Sequence, residues 1–288
     1  MALPVIVDRP ARVGERGVAV EDIEVQLLLE GLVQRSGYDF RGYDPPVVKR
    51  RIERALATES LSTISELQSR ALHDDACLSR VIHTLTFREV SFFGDAQLFR
   101  DLRSAVFPLL RTYPFVRIWS AGCSTGEDTY ALAIALEEAG LYGRCRIYAT
   151  DAARSLVEVA QSRAYPADRG FEWQRAYAAA GGDRTLDDYV SIDGPHAMID
   201  AQLGRNIVFA QHNVVVDGSF NQFHLIFCPG MMRQFNKDLQ SQAHGTLYGS
   251  LVRLGFLGLA TDESVITSPF ARAYRRSDVE ASIHRRIL

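Results

Sequence analysis

The octapeptide Ser120-Ala121-Gly122-Cys123-Ser124-Thr125-Gly126-Glu127 lies between a β-prone run, 115–119, and a strongly periodic helical run, 129–139. Its glycines permit a tight turn and let the backbone approach a ligand. The helix that follows presents unpaired N–H groups at its N-terminus. The junction constrains the fold because of what comes after it. A second β-run covers 146–150, a helix 155–163, and further β-runs 206–210, 223–227 and 255–260. Strands alternating with helices predict an α/β fold, a doubly wound and mostly parallel sheet over about 105–288. Residues 186–211 break the alternation. Their β-prone runs around Gly194-Pro195 predict a small hairpin subdomain near 187–211.

The preceding sequence has a different period. Residues 1–19 read as a loose leader. Ile23, Leu27, Leu28 and Val33 then recur at helical spacing, and Ser36-Gly37 ends that helix. Asp44-Pro45-Pro46 starts the next, with proline tolerated in the first turn. More helices are expected around 63–73 and 75–84, so 20–85 reads as an all-helical unit and 86–104 as a linker. The second helix contains Lys49, Arg50, Arg51 and Arg54. Val48, Ile52 and Leu56 fall on one face, which leaves the cations mostly on the other. A solvated face and a docking surface for an acidic partner both fit.

A formal net charge of −3 argues against a nucleic-acid binder that works by bulk electrostatics. Cys77, Cys123, Cys145 and Cys228 form no CxxC pair, so reduced thiols are expected rather than a metal site or a disulfide framework. No stretch approaches the roughly 18 uninterrupted apolar residues of a membrane span, and residues 1–20 lack an apolar signal region. Together these features predict a cytoplasmic protein with no membrane insertion.

Glu127 would repel phosphates but suits a ligand with a cationic end. Asp151 ends the next strand, about 25 residues beyond the glycine loop, where an acid can accept hydrogen bonds from both ribose hydroxyls. Singly, Glu127 reads equally well as a first-turn acid and Asp151 as a helix N-cap. At the ends of adjacent strands they favour a nucleoside site. Asn213, past the 206–210 run, could meet the base, although a turn residue is the better reading for Asn alone.

The run FVRIWSAGCSTGEDTYALAIALEEAG, followed by RIYATD, resembles the S-adenosylmethionine (SAM) core of CheR-type chemotaxis methyltransferases. SGYDFRGYDPPVVKRRIERAL resembles that family's N-terminal helical domain. NIVFAQHNVVVDGSFNQFHLIFCPG and SLVRLGFLGLATDES resemble its later strands. The likeness spans about 21–275. It implies a class I, Rossmann-like SAM-methyltransferase domain, and SAM or S-adenosylhomocysteine as ligand. Gly122 lies in the implied SAM loop. Glu127, Asp151 and Asn213 match SAM-contacting positions, with Val214 beside the adenine. Lys49, Arg50, Arg51 and Arg54 match a surface that engages chemoreceptor helices, and the hairpin matches the family's β-subdomain.

Departures gather where the resemblance places the chemistry. Against the family's Asn-x-Thr-x-x-Phe-Arg, this chain puts Arg88, Val90 and Gly94 at the Asn, Thr and Arg positions. Against Cys-Arg-Asn-x-x-x-Tyr-Phe it puts Pro229-Gly230 and Gln234 at the Arg-Asn pair and the Tyr. A carboxylate acceptor is already nucleophilic at neutral pH, so orientation and electrostatics must supply the rate. Losing one charge-assisted contact costs about 1.5–3 kcal/mol. Losing several that act together removes most of the rate. Gly94, Gly230 and Gln234 therefore predict impaired or absent glutamate methylation, with Arg88 and Arg233 as candidate replacements for the missing charge. A fully active enzyme and a re-purposed pocket or scaffold are the competing expectations.

Overall fold

The computed structural model describes residues 19–276 and 283–288. The expected leader, up to residue 18, lies outside the described residues. Four helices come first: α1 (Val20–Ser36), α2 (Pro45–Glu59), α3 (Ile64–His73) and α4 (Asp75–Thr86). Their ends follow from local chemistry. Gly37 closes α1 at φ 78, Thr63 and Glu66 form a reciprocal capping box on α3, and Asp74 caps α4 through Ala76 N and Cys77 N. Leu28, Leu32, Ile52, Leu67 and Val81 pack a core of their own.

The segment expected as a linker is half helical. After the loop at 87–95, α5 (Ala96–Asp101) runs through a wide turn at Leu102–Val106 into α6 (Phe107–Leu110). Buried Leu98, Phe99, Leu102 and Phe107 hold it against the sheet. Then come β1 (Val116–Ala121), α7 (Glu127–Glu138), β2 (Cys145–Asp151), α8 (Arg154–Ser162), β3 (Ala164–Pro166) and α9 (Gly170–Ala179). Next are β4 (Val190–Asp193), β5 (His196–Ile199), α10 (Ala201–Gly204), β6 (Ile207–Gln211) and β7 (Phe223–Phe227). The chain ends with α11 (Lys237–Ser250), β8 (Leu251–Gly258), β9 (Tyr274–Arg276) and β10 (Ile283–Arg286).

Among the described residues the main sheet has the order β6-β2-β1-β7-β8-β10-β9. β1 pairs in parallel with both β2 and β7, while β10 runs antiparallel to β8 and β9. Strand order therefore reverses between β1 and β7, and a ligand crevice is expected there, beyond the carboxyl ends of the strands. The hairpin β4–β5 gains β3 as a third strand. The two helical and α/β parts meet through Asp44 N donating to Gln234 O at 2.8 Å and Asn236 N to Gly42 O at 2.9 Å. Among the described residues no helix is long and apolar enough to cross a membrane.

Candidate functional site

At the end of β1 the backbone turns through Gly122 at φ +66. A Cβ there would sit 2.8 Å from Met231 Sδ, so any side chain would collide with the far wall. Cys123 N donates to Thr150 O at 2.8 Å, which ties the loop to β2. Gly126 turns again at φ +93, where a Cβ would lie 2.7 Å from Ala160 Cβ. Only glycine fits either position.

Asp151, the last residue of β2, is buried. Its Oδ2 accepts from Ser124 N at 2.9 Å and its Oδ1 from Ala153 N at 3.0 Å. Burial pushes its carboxyl up, against the pull of those backbone donors and of Arg88. Beyond β6, Asn213 Oδ1 accepts from Val215 N at 3.0 Å, while its own N–H donates to Asp217 Oδ2 at 2.7 Å. This is a turn-stabilising role, and among the described residues no protein group bonds its Nδ2. Val214 is buried beside it with Met231 and Ala121. Gly122, Asp151, Asn213 and Val214 border one cavity of about 330 Å³, at the reversal between β1 and β7.

Glu127 stands apart from these four. It opens α7, 5% exposed, accepting from Thr125 Oγ1 at 2.6 Å, and is not part of that cavity's wall. Burial raises its carboxyl too.

The altered positions lie across the loop. Gly94 closes a turn with its N–H on Ser91 O at 3.0 Å, after Phe93 at φ +54. Gly230 sits at φ +73. Its Cβ would lie 3.1 Å from Arg233 Nη2 and 3.4 Å from Arg88 Nη1. Arg88 and Arg233 thus converge on the same vacated place. Arg88 Nη2 also donates to Gly122 O at 2.9 Å, and its Nη1 lies 3.5 Å from Asp128 Oδ2. Arg233 pairs with exposed Asp262 at 3.1 Å. Gln234 is buried, and its Oε1 accepts from Arg51 Nη2.

Arg51 requires a correction to the reading of α2 as apolar on one side and cationic on the other. It is 6% exposed and donates to Leu85 O as well as to Gln234. The helix is wedged between its own bundle and the α/β part, so two faces are buried. Val48, Ile52 and Ala55 fill one, and Arg51 lies on the other, while Leu56 is only partly buried. Lys49 is engaged by Glu21 at 3.0 Å and Asp22 at 2.7 Å. Arg50 and Arg54 are exposed.

Three residues that matter here were not singled out from sequence. Met231 backs the Gly122 turn. Asp128 faces Arg88. Glu263 clamps the altered loop, accepting from Gly230 N at 2.8 Å, Arg233 N at 3.0 Å and Ala260 N at 3.1 Å. Glu263 falls within a run already notable in the sequence, but only folding brings it to Gly230. All four cysteines are free and buried, and no potential metal cluster occurs among the described residues.

The cavity's chemistry suits a nucleoside. A glycine turn leaves the backbone open to close approach, a buried carboxylate ends the neighbouring strand, and Val214 adds an apolar wall, groups of the kind that a nucleoside's hydroxyls and base require. With this strand order, these features define the Rossmann-like fold of SAM-dependent methyltransferases. Residues 23–86 match the CheR methyltransferase all-alpha domain, and residues 88–277 match the CheR methyltransferase SAM binding domain. The chain belongs to the CheR methyltransferase family. A Pseudomonas putida protein named "Putative methyltransferase Cher3" is 39% identical over 87% of this chain and 92% of its own. A "Chemotaxis protein methyltransferase" of Listeria monocytogenes is 27% identical over 86% of this chain and 93% of its own. One of Salmonella typhimurium is 26% identical over 77% of each.

Proposed function

We propose that this chain binds SAM or S-adenosylhomocysteine in the cavity beside Asp151 and has lost most or all of the family's protein-glutamate methylation. It would act in the cytoplasm as a component of a chemosensory-type signalling system. SAM, when bound, supplies an electrophilic methyl group on its sulfonium. Asp151 would hold the ribose, Val214 would pack on the adenine with Asn213 beside it, and Gly122 would admit the ligand at close range. Glu127 would need to release Thr125 and turn toward the cavity to meet a cationic end.

The observation that carries the loss is the pairing of Gln234 with Arg51. Where the family's tyrosine is expected, this chain has an amide whose oxygen is held by a buried arginine. Gly94 and Gly230 bring no side chain to the acceptor side. A second reading, a working enzyme with re-sited charge, draws on the convergence of Arg88 and Arg233 at Gly230. The exposed Arg50 and Arg54 favour docking of an acidic, chemoreceptor-like helix. Calorimetry with SAM and S-adenosylhomocysteine, followed by labelled-methyl transfer to receptor fragments, tests the proposal. Binding without transfer is expected. Absence of binding points to a scaffold or a changed ligand.

A further inference from the structure

The two edges of the main sheet differ in composition. At one edge, β9 carries Arg275 and Arg276. At the other, β6 and its flanks read Asn206-Ile207-Val208-Phe209-Ala210-Gln211-His212-Asn213, with no lysine, arginine, aspartate, glutamate or proline. Charge and proline are the usual means of keeping an open edge from pairing. Among the described residues no strand lies beyond β6. Ile147 N donates to Asn206 O at 2.8 Å and His212 N to Asp151 O at 2.9 Å, so the even-numbered residues here turn their backbone groups toward β2. Ile207, Phe209 and Gln211 turn theirs outward.

The surface beside this edge is apolar. Phe209 points toward α7, its ring 5.9 Å from that of Tyr130. Val208 falls on the opposite face, in register with Tyr148. On that side residues 212–222 connect β6 to β7 by turns and loop, without a helix. Val208 and Phe220 are exposed, and the Phe220 ring lies 6.1 Å from that of Tyr148.

The ends of the strand carry opposite charges. Exposed Arg205 precedes β6. Past its far end, exposed Asp217 folds back, its Oδ2 accepting from Asn213 N at 2.7 Å. A second β6 laid antiparallel along the edge, centred on Phe209, sets Phe209 opposite itself and Ile207 opposite Gln211. Outward backbone groups then meet outward backbone groups and exchange both bonds of each pair. Val208 meets Ala210 of the other copy. Arg205 meets Asn213, beside Asp217, at each end. The edge is therefore complementary to itself in hydrogen bonding and in charge, as a two-fold interface requires.

We propose that two copies of this chain associate in solution through β6, antiparallel about Phe209, with Arg205 of each facing Asp217 of the other. The loop after β6 also walls the cavity beside Asp151 through Asn213 and Val214, so the interface reaches the ligand site.

The test is sedimentation equilibrium of the full chain, without SAM or acceptor, which keeps its outcome separate from the methylation question. A monomer–dimer equilibrium with a dissociation constant on the order of 10 µM is expected. Arg205→Asp alone, or Asp217→Arg alone, puts like charges at both ends and should weaken association at least about tenfold. An equimolar mixture of these two variants restores opposite charges at both ends of the mixed dimer. It should associate about as tightly as the parent, and that recovery would also show both variants to be folded. Val208→Lys, at an exposed position, should weaken association as strongly with an unchanged melting temperature, a reading that does not depend on the Asp217 turn. A parent that stays monomeric at about 300 µM overturns the proposal, the edge then being left to another segment or another protein. So does a dimer indifferent to all three single changes, or a mixture of folded variants that fails to recover.

Discussion

The two sides of the loop at Gly122 have kept different things. On the strand side stand Gly122, Asp151 and Val214, small or fixed in place by backbone hydrogen bonds. On the other side, Gly94, Gly230 and Gln234 replace the groups that the family resemblance puts there. Arg88 and Arg233 stand beside Gly230, and Arg51 holds Gln234. A nucleoside site depends on turn geometry and one carboxylate, which this chain retains. Positioning an acceptor carboxylate depends on several side chains acting as a unit, and those are the ones that differ.

The contrast breaks most readily at Asp151. Asp151→Ala removes the expected ribose acceptor and strands Ser124 N and Ala153 N. SAM affinity measured by calorimetry should fall about 100-fold. Binding equal to the parent's would show that the cavity is not used as described.

Asp128 sharpens the other side. It is buried opposite Arg88, and burial pushes its carboxyl up to about 6 despite that arginine. The folded value exceeds the unfolded one, so the folded chain holds a proton that the unfolded chain has released. Its stabilising contribution is full below about pH 4 and is lost as pH rises through about 6, a change on the order of 2–3 kcal/mol. Asp128→Asn should remove that fall. His244 and His284, held down to about 4 chiefly by burial, slope the other way: their contribution is lost as pH drops below the ordinary histidine range. Denaturant curves of parent and variant across pH 4–7 should therefore be compared by difference. Parallel profiles would contradict the assignment.

Gln234→Leu takes the acceptor from Arg51 Nη2 in a buried setting and should cost about 1–3 kcal/mol in urea unfolding. Gln234→Tyr should cost a similar amount, so restoring the family's tyrosine alone should not restore activity. Joined to Gly94→Arg and Gly230→Asn it should do more than any single change, since groups sharing one transition state are not additive. Gly230 tolerates asparagine best among side chains because its φ is +73. The smallest effect belongs to the exposed end of α2. Lys49→Ala breaks half-exposed pairs with Glu21 and Asp22 and should change stability by less than about 1 kcal/mol.

Much of the fold was legible because strand alternation and turn glycines are local signals. The Gly37 helix stop depends on near neighbours in sequence, and β1, the Gly122 turn, α7 and β2 follow one another directly along the chain. What was missed depends on contacts distant in the chain. Arg51 reads as a surface cation until the α/β part covers its face of α2. α11 carries little periodicity because its buried positions are Ala243, His244, Leu247 and Ser250, a face of mixed polarity. The short strands β9 and β10 are rich in arginine, and the sheet edge rather than composition makes them strands. At the site, Asp151 was visible from its place at a strand end. Met231 and Glu263 were not, because their partners lie more than thirty residues away or across the loop.

The central claim is that the nucleoside side persists while the acceptor side has lost its chemistry. It is tested most directly on the unmodified chain, by incubating it with methyl-labelled SAM and chemoreceptor fragments from the same organism and titrating the same preparation with SAM. The account predicts saturable SAM binding with methyl incorporation near background. Turnover comparable to that of an ordinary member of the family would contradict it, and would assign the missing charge to Arg88 and Arg233.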